Sequence, residues 1–270
     1  MVGGPFQHDV CSSALNKNKY VEWDKKSHNG STSVHIDYEI FLPIDKKKKN
    51  YAWICESSAI RGPLIERIKN NLDYVNSNFD LIFTHDRRLL DLGDKFKFTL
   101  PNAKPWIQNR QVYQKSKKIS FIASIKRFCK EHHFRHEILH KFQHHVVHFG
   151  RGYSNSMPWT VTIDDRIESG KILGLKDFMF SFNMENANYP LGFSEKLTDC
   201  FATGTIPIYW GTRDVIEVFD GDGIIFLDDL EIDKLNEDLY LSKMEVIKKN
   251  LEIACELPSS EDYFYINYIK

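Results

Sequence analysis

Six short apolar runs constrain this chain more than any other feature. They are Tyr51 to Cys55, Phe79 to Thr84, Ile119 to Ala123, Val146 to Phe149, Phe178 to Met184 and Ile206 to Trp210. A run such as Tyr51 to Cys55 does not alternate apolar with polar, so a strand built from it is covered on both faces. That is the state of strands in a parallel sheet, whose connections cross over through helices. The segment between the first two runs fits: Pro63 to Asn71 places Leu64, Ile65 and Ile68 on one helical face. The second half repeats the pattern. A helix is expected from about His133 to Phe142, and another from Ser194, a good N-cap, to Thr203, with Gly204 as its stop. A short helix at Val215 to Phe219 and a strand at Ile224 to Leu227 are expected to follow. The expected fold class is therefore α/β, with two Rossmann-like domains facing across a cleft. Pro101, Pro105 and the polar run to the basic Lys115–Lys118 suggest the boundary, giving domains 1–117 and 118–270.

Composition narrows the function classes. Of 270 residues, 42% are hydrophobic and 13% aromatic, enough for two cores and too many for a disordered chain. Lys and Arg number 36 against 37 Asp and Glu, so the basic excess of a nucleic-acid binder is missing. No apolar stretch reaches the roughly 18 to 20 residues needed to span a bilayer. Met1 to Val10 shows neither the basic nor the hydrophobic region of a secretion signal. Five scattered cysteines without a Cys-x-x-Cys pair point to reduced thiols. A cytoplasmic protein, soluble or peripherally attached to a membrane, is expected.

Several side chains are candidates for chemistry. Arg135 falls within the apolar face defined by Phe134, Ile138, Leu139 and Phe142, near the start of its expected helix. A cation there is costly unless its head reaches an anion or a cleft. Ser194, Glu195 and Lys196 open a helix after a strand, where backbone N–H groups and a lysine attract phosphate. Glu195 suits sugar hydroxyls better than phosphate. Glu56 ends a buried strand, where a carboxylate could take a proton from an acceptor hydroxyl. Asp86, His8 and Asp9 are its rivals. His136-Glu137-Ile138-Leu139-His140 matches the zinc-hydrolase pattern, but the two histidines lie opposite Phe134, Ile138 and Phe142 and should face solvent. Asp220-Gly-Asp-Gly contains Asp-x-Asp, used elsewhere for divalent metals, but its glycines favour a turn. Asp164-Asp165 is expected in a loop. Lys46–Lys49 reads as a solvated hairpin tip or loop.

Met184-Glu185-Asn186-Ala187, then Phe193-Ser194-Glu195-Lys196-Leu197, then Gly204-Thr205-Ile206-Pro207-Ile208-Tyr209-Trp210-Gly211 resemble the α-1,3-fucosyltransferases of glycosyltransferase family 10. Trp53 to Ser57 is similar to that family's Glu-Ser-Pro segment, and Ile122-Ala123-Ser124 with Arg135 to a strand end followed by a helix arginine. The resemblance runs from about Tyr51 to Asp229. It implies a GT-B fold and inverting transfer of fucose from GDP-fucose to a carbohydrate acceptor. It also implies no obligatory metal, no other cofactor and no nucleic-acid partner. Carried over, Arg135 and Lys196 engage the diphosphate and Glu56 is the base. Asn186, Ser194, Glu195 and Ser124 complete the expected donor site. The chain departs from the family at Gly192, Ala187 and Ile125, where the family has Tyr, Ser and Asn. A catalytically inactive sugar-binding module, a transferase using another nucleotide sugar and the zinc hydrolase are the alternatives. The first domain is expected to be short, opening almost at once with Gly3-Gly4-Pro5-Phe6-Gln7-His8 and with no room for a full strand before them.

Overall fold

The computed structural model describes residues 10–13, 16–25, 29–100, 103–153 and 157–270. The chain divides into two compact units. The first holds Met1–Asn102, Tyr189–Gly192 and Pro258–Lys270, and the second Ala103–Asn188 and Phe193–Leu257.

In the first unit, β1 (Thr32–Ile36), β2 (Lys49–Ile54), β3 (Leu81–Thr84) and β4 (Phe96–Phe98) form a four-stranded parallel sheet in the order β1-β2-β3-β4. Helices α1 (Ser58–Asn70) and α2 (Leu72–Asn78) connect β2 to β3, and α3 (Arg87–Leu90) precedes β4. Leu64, Ile65 and Ile68 are buried against Ala52, Ile54 and Ile82, as the helical spacing requires. The strand β1 was not among the expected elements, and the segment Gly3 to His8 lies outside the described residues. The β1 sequence, Thr-Ser-Val-His-Ile, is polar at one end, and the periodicity of buried strands does not single it out. Lys46 to Lys48 lie in a turn leading into β2. As β1 and β2 run parallel, that turn is not a hairpin tip.

The second unit holds β5 (Lys117–Ile122), α4 (Lys130–Lys141), β6 (Val147–Gly150), β7 (Val161–Thr162) and α5 (Glu168–Lys171). It continues with β8 (Phe178–Met184), α6 (Glu195–Ala202), β9 (Ile206–Trp210), β10 (Ile225–Phe226), α7 (Glu237–Ser242) and α8 (Met244–Glu256). All six strands are parallel, in the order β10-β9-β8-β5-β6-β7. Counted within the unit this is 6-5-4-1-2-3, the doubly wound dinucleotide-binding order read from its other edge. The order reverses between β5 and β8, whose buried Ser120 and Ser181 hydroxyls pair at 2.9 Å. The Phe121 and Phe182 rings stack on the same strand pair.

The boundary expected at 117/118 lies instead at 102/103. Residues 103–116 are a strap on the second unit. Asp199 Oδ1 accepts from the backbone N–H groups of Trp106 and Ile107, at 2.7 and 3.1 Å. Lys115 is half-buried, and its Nζ donates to the carbonyls of Leu175, Lys176 and Thr203 and to the Thr205 hydroxyl. Polarity and proline suggested a linker, but these polar groups are satisfied inside one unit.

The chain also returns to the first unit after Leu257. Ser259 caps α9 (Ser260–Phe264) by accepting from the Asp262 N–H. Glu261 accepts from Ser12, and Asp262 from the N–H groups of Lys19 and Tyr20. Phe264 stacks on Phe83 with centroids 4.3 Å apart and meets Trp53 edge-on.

One glycine is required by close approach. A Cβ on Gly170 would overlap the Asp164 carbonyl. Gly170→Ala should therefore lower stability by about 1 to 3 kcal/mol, the usual cost of overpacking. A denaturant midpoint unchanged from the parent would show that the Asp164 turn yields freely.

Candidate functional site

A pocket opens beyond the C-terminal ends of β5 and β8, at the switch point of the six-stranded sheet. In doubly wound folds that crevice is where ligands bind, because the adjacent loops diverge to opposite faces of the sheet. Ala123 and Ser124 line it from β5 and Met184 from β8. Arg135 comes from α4, Lys171 from α5, and Glu195 and Lys196 from the start of α6.

Helix α4 begins at Lys130, three residues before the expected start, so Arg135 sits in mid-helix rather than near the N-terminus. The buried stripe is His132, Arg135, His136 and Leu139, with Ile138 beside it. Phe134 and Phe142 are only half-buried, so the wheel drawn on them was rotated. Arg135 is nonetheless inside the stripe, 6% exposed. Its Nη2 makes two long contacts, 3.3 Å to the Ser124 carbonyl and 3.4 Å to that of Lys126. Its Nε is buried without a hydrogen-bond partner, and no carboxylate lies within ion-pair distance among the described residues. Burial is the main force holding its pKa below the usual guanidinium value. A buried, underpaired guanidinium at a pocket wall favours an anionic ligand.

The correction to α4 extends to the zinc-hydrolase pattern. His136 is buried and His140 exposed, so the pair does not share a solvent face. Both ring nitrogens of His136 are engaged, Nε2 with the Lys126 carbonyl and Nδ1 with the Tyr153 hydroxyl. Among the described residues no group of three His, Cys, Asp or Glu side chains converges as a metal site. Asp220 and Asp222 form the expected turn: Asp220 caps the Asp222 N–H and pairs with Lys249 at 2.8 Å.

At the start of α6, Ser194 is the N-cap, accepting from the Lys196 N–H. Glu185 holds that cap in turn, accepting from the Ser194 N–H at 2.9 Å and from its hydroxyl at 2.7 Å. Part of the expected anion-binding helix end is thus already occupied by a carboxylate. Lys196 Nζ donates to the Ser194 hydroxyl at 3.0 Å and lies 3.6 Å from Glu185 and 3.9 Å from Glu195. Burial opposes its charge, but these two carboxylates outweigh burial and raise its pKa.

Asn186 is held through its side chain. His132 Nδ1 accepts from the Phe128 N–H at 3.1 Å, so its proton is on Nε2, which donates to Asn186 Oδ1 at 3.1 Å. The amide NH2 of Asn186 is thereby left for another partner.

Sequence reasoning missed Lys171. It is the last residue of a four-residue helix and resembles any surface lysine. It is buried, 2.7 Å from Asp199 Oδ2 and 3.1 Å from Glu195 Oε1, with Nζ 4.3 Å from the Trp106 ring centroid. Burial would raise the Glu195 pKa, but Lys171 and Lys196 overcome it and hold that carboxyl down at about 2.

The first unit has its own loop-bearing edge at the C-terminal ends of β1, β2 and β3. Glu56 follows β2 there, half-buried. Asp37, just after β1, was also missed. It is buried with φ of 52° and accepts from the N–H groups of Cys55 and Glu56 at 3.0 and 3.3 Å. Burial raises its pKa, only partly offset by those N–H groups. Asp86 caps α3 and forks onto Arg88 at 2.6 and 3.0 Å. Burial would raise its pKa, but the bonds from Arg88 hold it low, which makes it a weak base. His85 is buried with Nδ1 lacking a hydrogen-bond partner, and stacks on Tyr189 at 4.7 Å. Burial pushes its pKa down to about 4. Tyr189 also fills the space that a Cβ on Gly192 would need. His8 and Asp9 lie outside the described residues. No helix among the described residues is long and apolar enough to cross a membrane.

Comparison with known proteins places the fold. No protein-family model matches the chain, and no curated protein sequence matches it. Among solved structures, Anabaena HepE in complex with UDP-glucose is 8% identical, with a TM-score of 0.55, over 83% of this chain and 72% of that one. An α1,3-fucosyltransferase with GDP-fucose is 16% identical, with a TM-score of 0.48, over 76% of this chain and 67% of that one. At these identities the HepE likeness is one of fold. The chain has the Rossmann-like α/β architecture of the GT-B type, with a parallel sheet in each unit.

Proposed function

We propose that the protein is an inverting, nucleotide-sugar-dependent glycosyltransferase that moves fucose from GDP-fucose to a carbohydrate hydroxyl. The observation that carries the reading is Arg135: a buried guanidinium with only two long carbonyl contacts, on the wall of a switch-point pocket that also holds Lys196. The choice of GDP-fucose rests on the Glu-Asn, Glu-Lys and Gly-x-Ile-Pro segments, which resemble the fucosyltransferase pattern.

In this reading Arg135 and Lys196 bind the diphosphate and stabilise the charge that grows on it as the glycosidic bond breaks. Asn186 offers its NH2, and Ser124 and Ser194 line the donor side. Glu56 takes the acceptor proton while the acceptor oxygen attacks the anomeric carbon opposite the leaving diphosphate, inverting it. The two side-chain cations take the electrostatic role that a divalent metal fills in Asp-x-Asp enzymes.

Thermal unfolding with a panel of nucleotide sugars tests the donor. GDP-fucose should raise the midpoint, since a ligand bound only by the folded state stabilises it, by about 2.7 kcal/mol at a hundred times Kd. The shift should persist in excess chelator. No shift with any nucleotide sugar would refute the transferase reading, and a shift with UDP-glucose alone would refute the donor. A shift abolished by chelator would refute metal independence.

A further inference from the structure

Resting on the reading above, we propose that Lys171 is a positioning residue for the donor sugar, holding Glu195 as a fixed carboxylate that receives a sugar hydroxyl. Three cations line the pocket, but they are not equivalent. Arg135 lacks a carboxylate partner among the described residues, and Lys196 is one-third exposed. Lys171 is fully committed: its ammonium lies between Asp199 and Glu195 and over the face of Trp106. Asp199 is itself fixed, since its other oxygen takes two backbone N–H groups of the strap. Lys171 is therefore anchored at one end, and through Oε1 it sets where Glu195 stands. No side chain bonds Glu195 Oε2 among the described residues, and Glu195 lines the pocket. Lys171, Asp199 and Glu195 together carry a net charge of −1, which suits hydroxyl donors, while Lys196, 3.9 Å from Glu195, offers its cation to the neighbouring phosphate. Arg135, which lacks a carboxylate partner among the described residues, has the reverse preference. A ligand anionic at one end and rich in hydroxyls at the other fits this polarity in one direction only.

The groups around Glu195 define the pH test. Lys171 approaches from α5, Asp199 and Lys196 from its own helix, and Glu185 from the loop after β8. Arg135 and Asp165 stand on the other walls of the pocket. With Lys171 present, Glu195 stays ionised down to about pH 2. With Lys171→Met, two buried carboxylates lose the cation between them, and desolvation and repulsion raise the pKa of the pair, which then titrates as a unit.

Binding of GDP-fucose and of GDP, measured by calorimetry from about pH 5 to 8, reads the outcome. In the parent the preference for GDP-fucose over GDP should be flat across that range. In Lys171→Met that preference should fall on the order of ten-fold for each pH unit below the raised pKa. Adding Asp199→Asn should flatten the profile again, and Lys171→Arg should keep the preference. If Lys171→Met does not fold, Glu195→Gln carries the test and should lose the preference at every pH. A parent ratio in Glu195→Gln, or a flat undiminished preference in folded Lys171→Met, would overturn the role of Lys171. Failure of the parent to bind GDP or GDP-fucose would instead overturn the underlying reading.

Discussion

Glu56→Gln should reduce sugar transfer by about 10² to 10⁴-fold, the usual worth of a general base, while GDP affinity and the unfolding midpoint stay at parent values. An acceptor hydroxyl is a poor nucleophile until its proton leaves, and glutamine has the size of glutamate without its basicity. Glu56 stands on the loop-bearing edge of its sheet, and Asp37 grips its backbone N–H and that of Cys55. The rivals weaken. Asp86 is spent on Arg88, and His85, though its Nδ1 lacks a partner, is held by burial at a pKa of about 4. Steady-state transfer by the Glu56→Gln, Asp86→Asn and His85→Gln variants decides. Near-parent turnover in the first with collapse in either of the others would move the base and leave the donor site standing.

Arg135→Met should separate binding from stability. GDP affinity should fall by about ten- to a hundred-fold, because a charge-assisted bond to phosphate is worth roughly 1.5 to 3 kcal/mol. The unliganded protein should lose little stability or gain some, because an underpaired buried cation is costly and methionine fills similar space without that cost. Lys196→Ala should show a smaller loss of affinity and no gain in stability, as Lys196 already serves Glu185 and Glu195. Calorimetric titration with GDP and a denaturant melt of each apo variant test both halves. Intact GDP affinity with a large loss of stability in Arg135→Met would make Arg135 a structural brace.

The strands were legible because their chemistry is continuous along the chain. Phe178–Met184 and Ile206–Trp210 are strands at the bounds their apolar runs suggested; the Ser194 hydroxyl caps α6, and Gly204 ends it with a left-handed backbone, φ 68°. What sequence pattern did not reveal depends on partners distant in the chain. Lys171 becomes part of the pocket only because Asp199 and Glu195 face it from another helix. The register of α4 slipped because its buried stripe holds two histidines and an arginine, which a hydrophobic wheel discounts. The unit boundary was misplaced for the same reason: the polar strap 103–116 is held by Asp199 and by carbonyls far along the chain. Arg135, Lys196 and Glu195, which line one pocket, stood out in the sequence because a charged residue in an apolar stripe, or at a helix start, is anomalous locally.

The return of residues 258–264 to the first unit reverses the order in which the two units can be completed. Residues 103–257 contain nearly everything the second unit needs, so it can close as soon as they are available. The first unit, although it leads the chain, lacks Phe264 against Phe83 and Trp53, and Glu261 against Ser12, until some 150 residues of the other unit have been made. Its sheet must wait with an aromatic face uncovered, and during synthesis that face is where chaperones or misassociation would act.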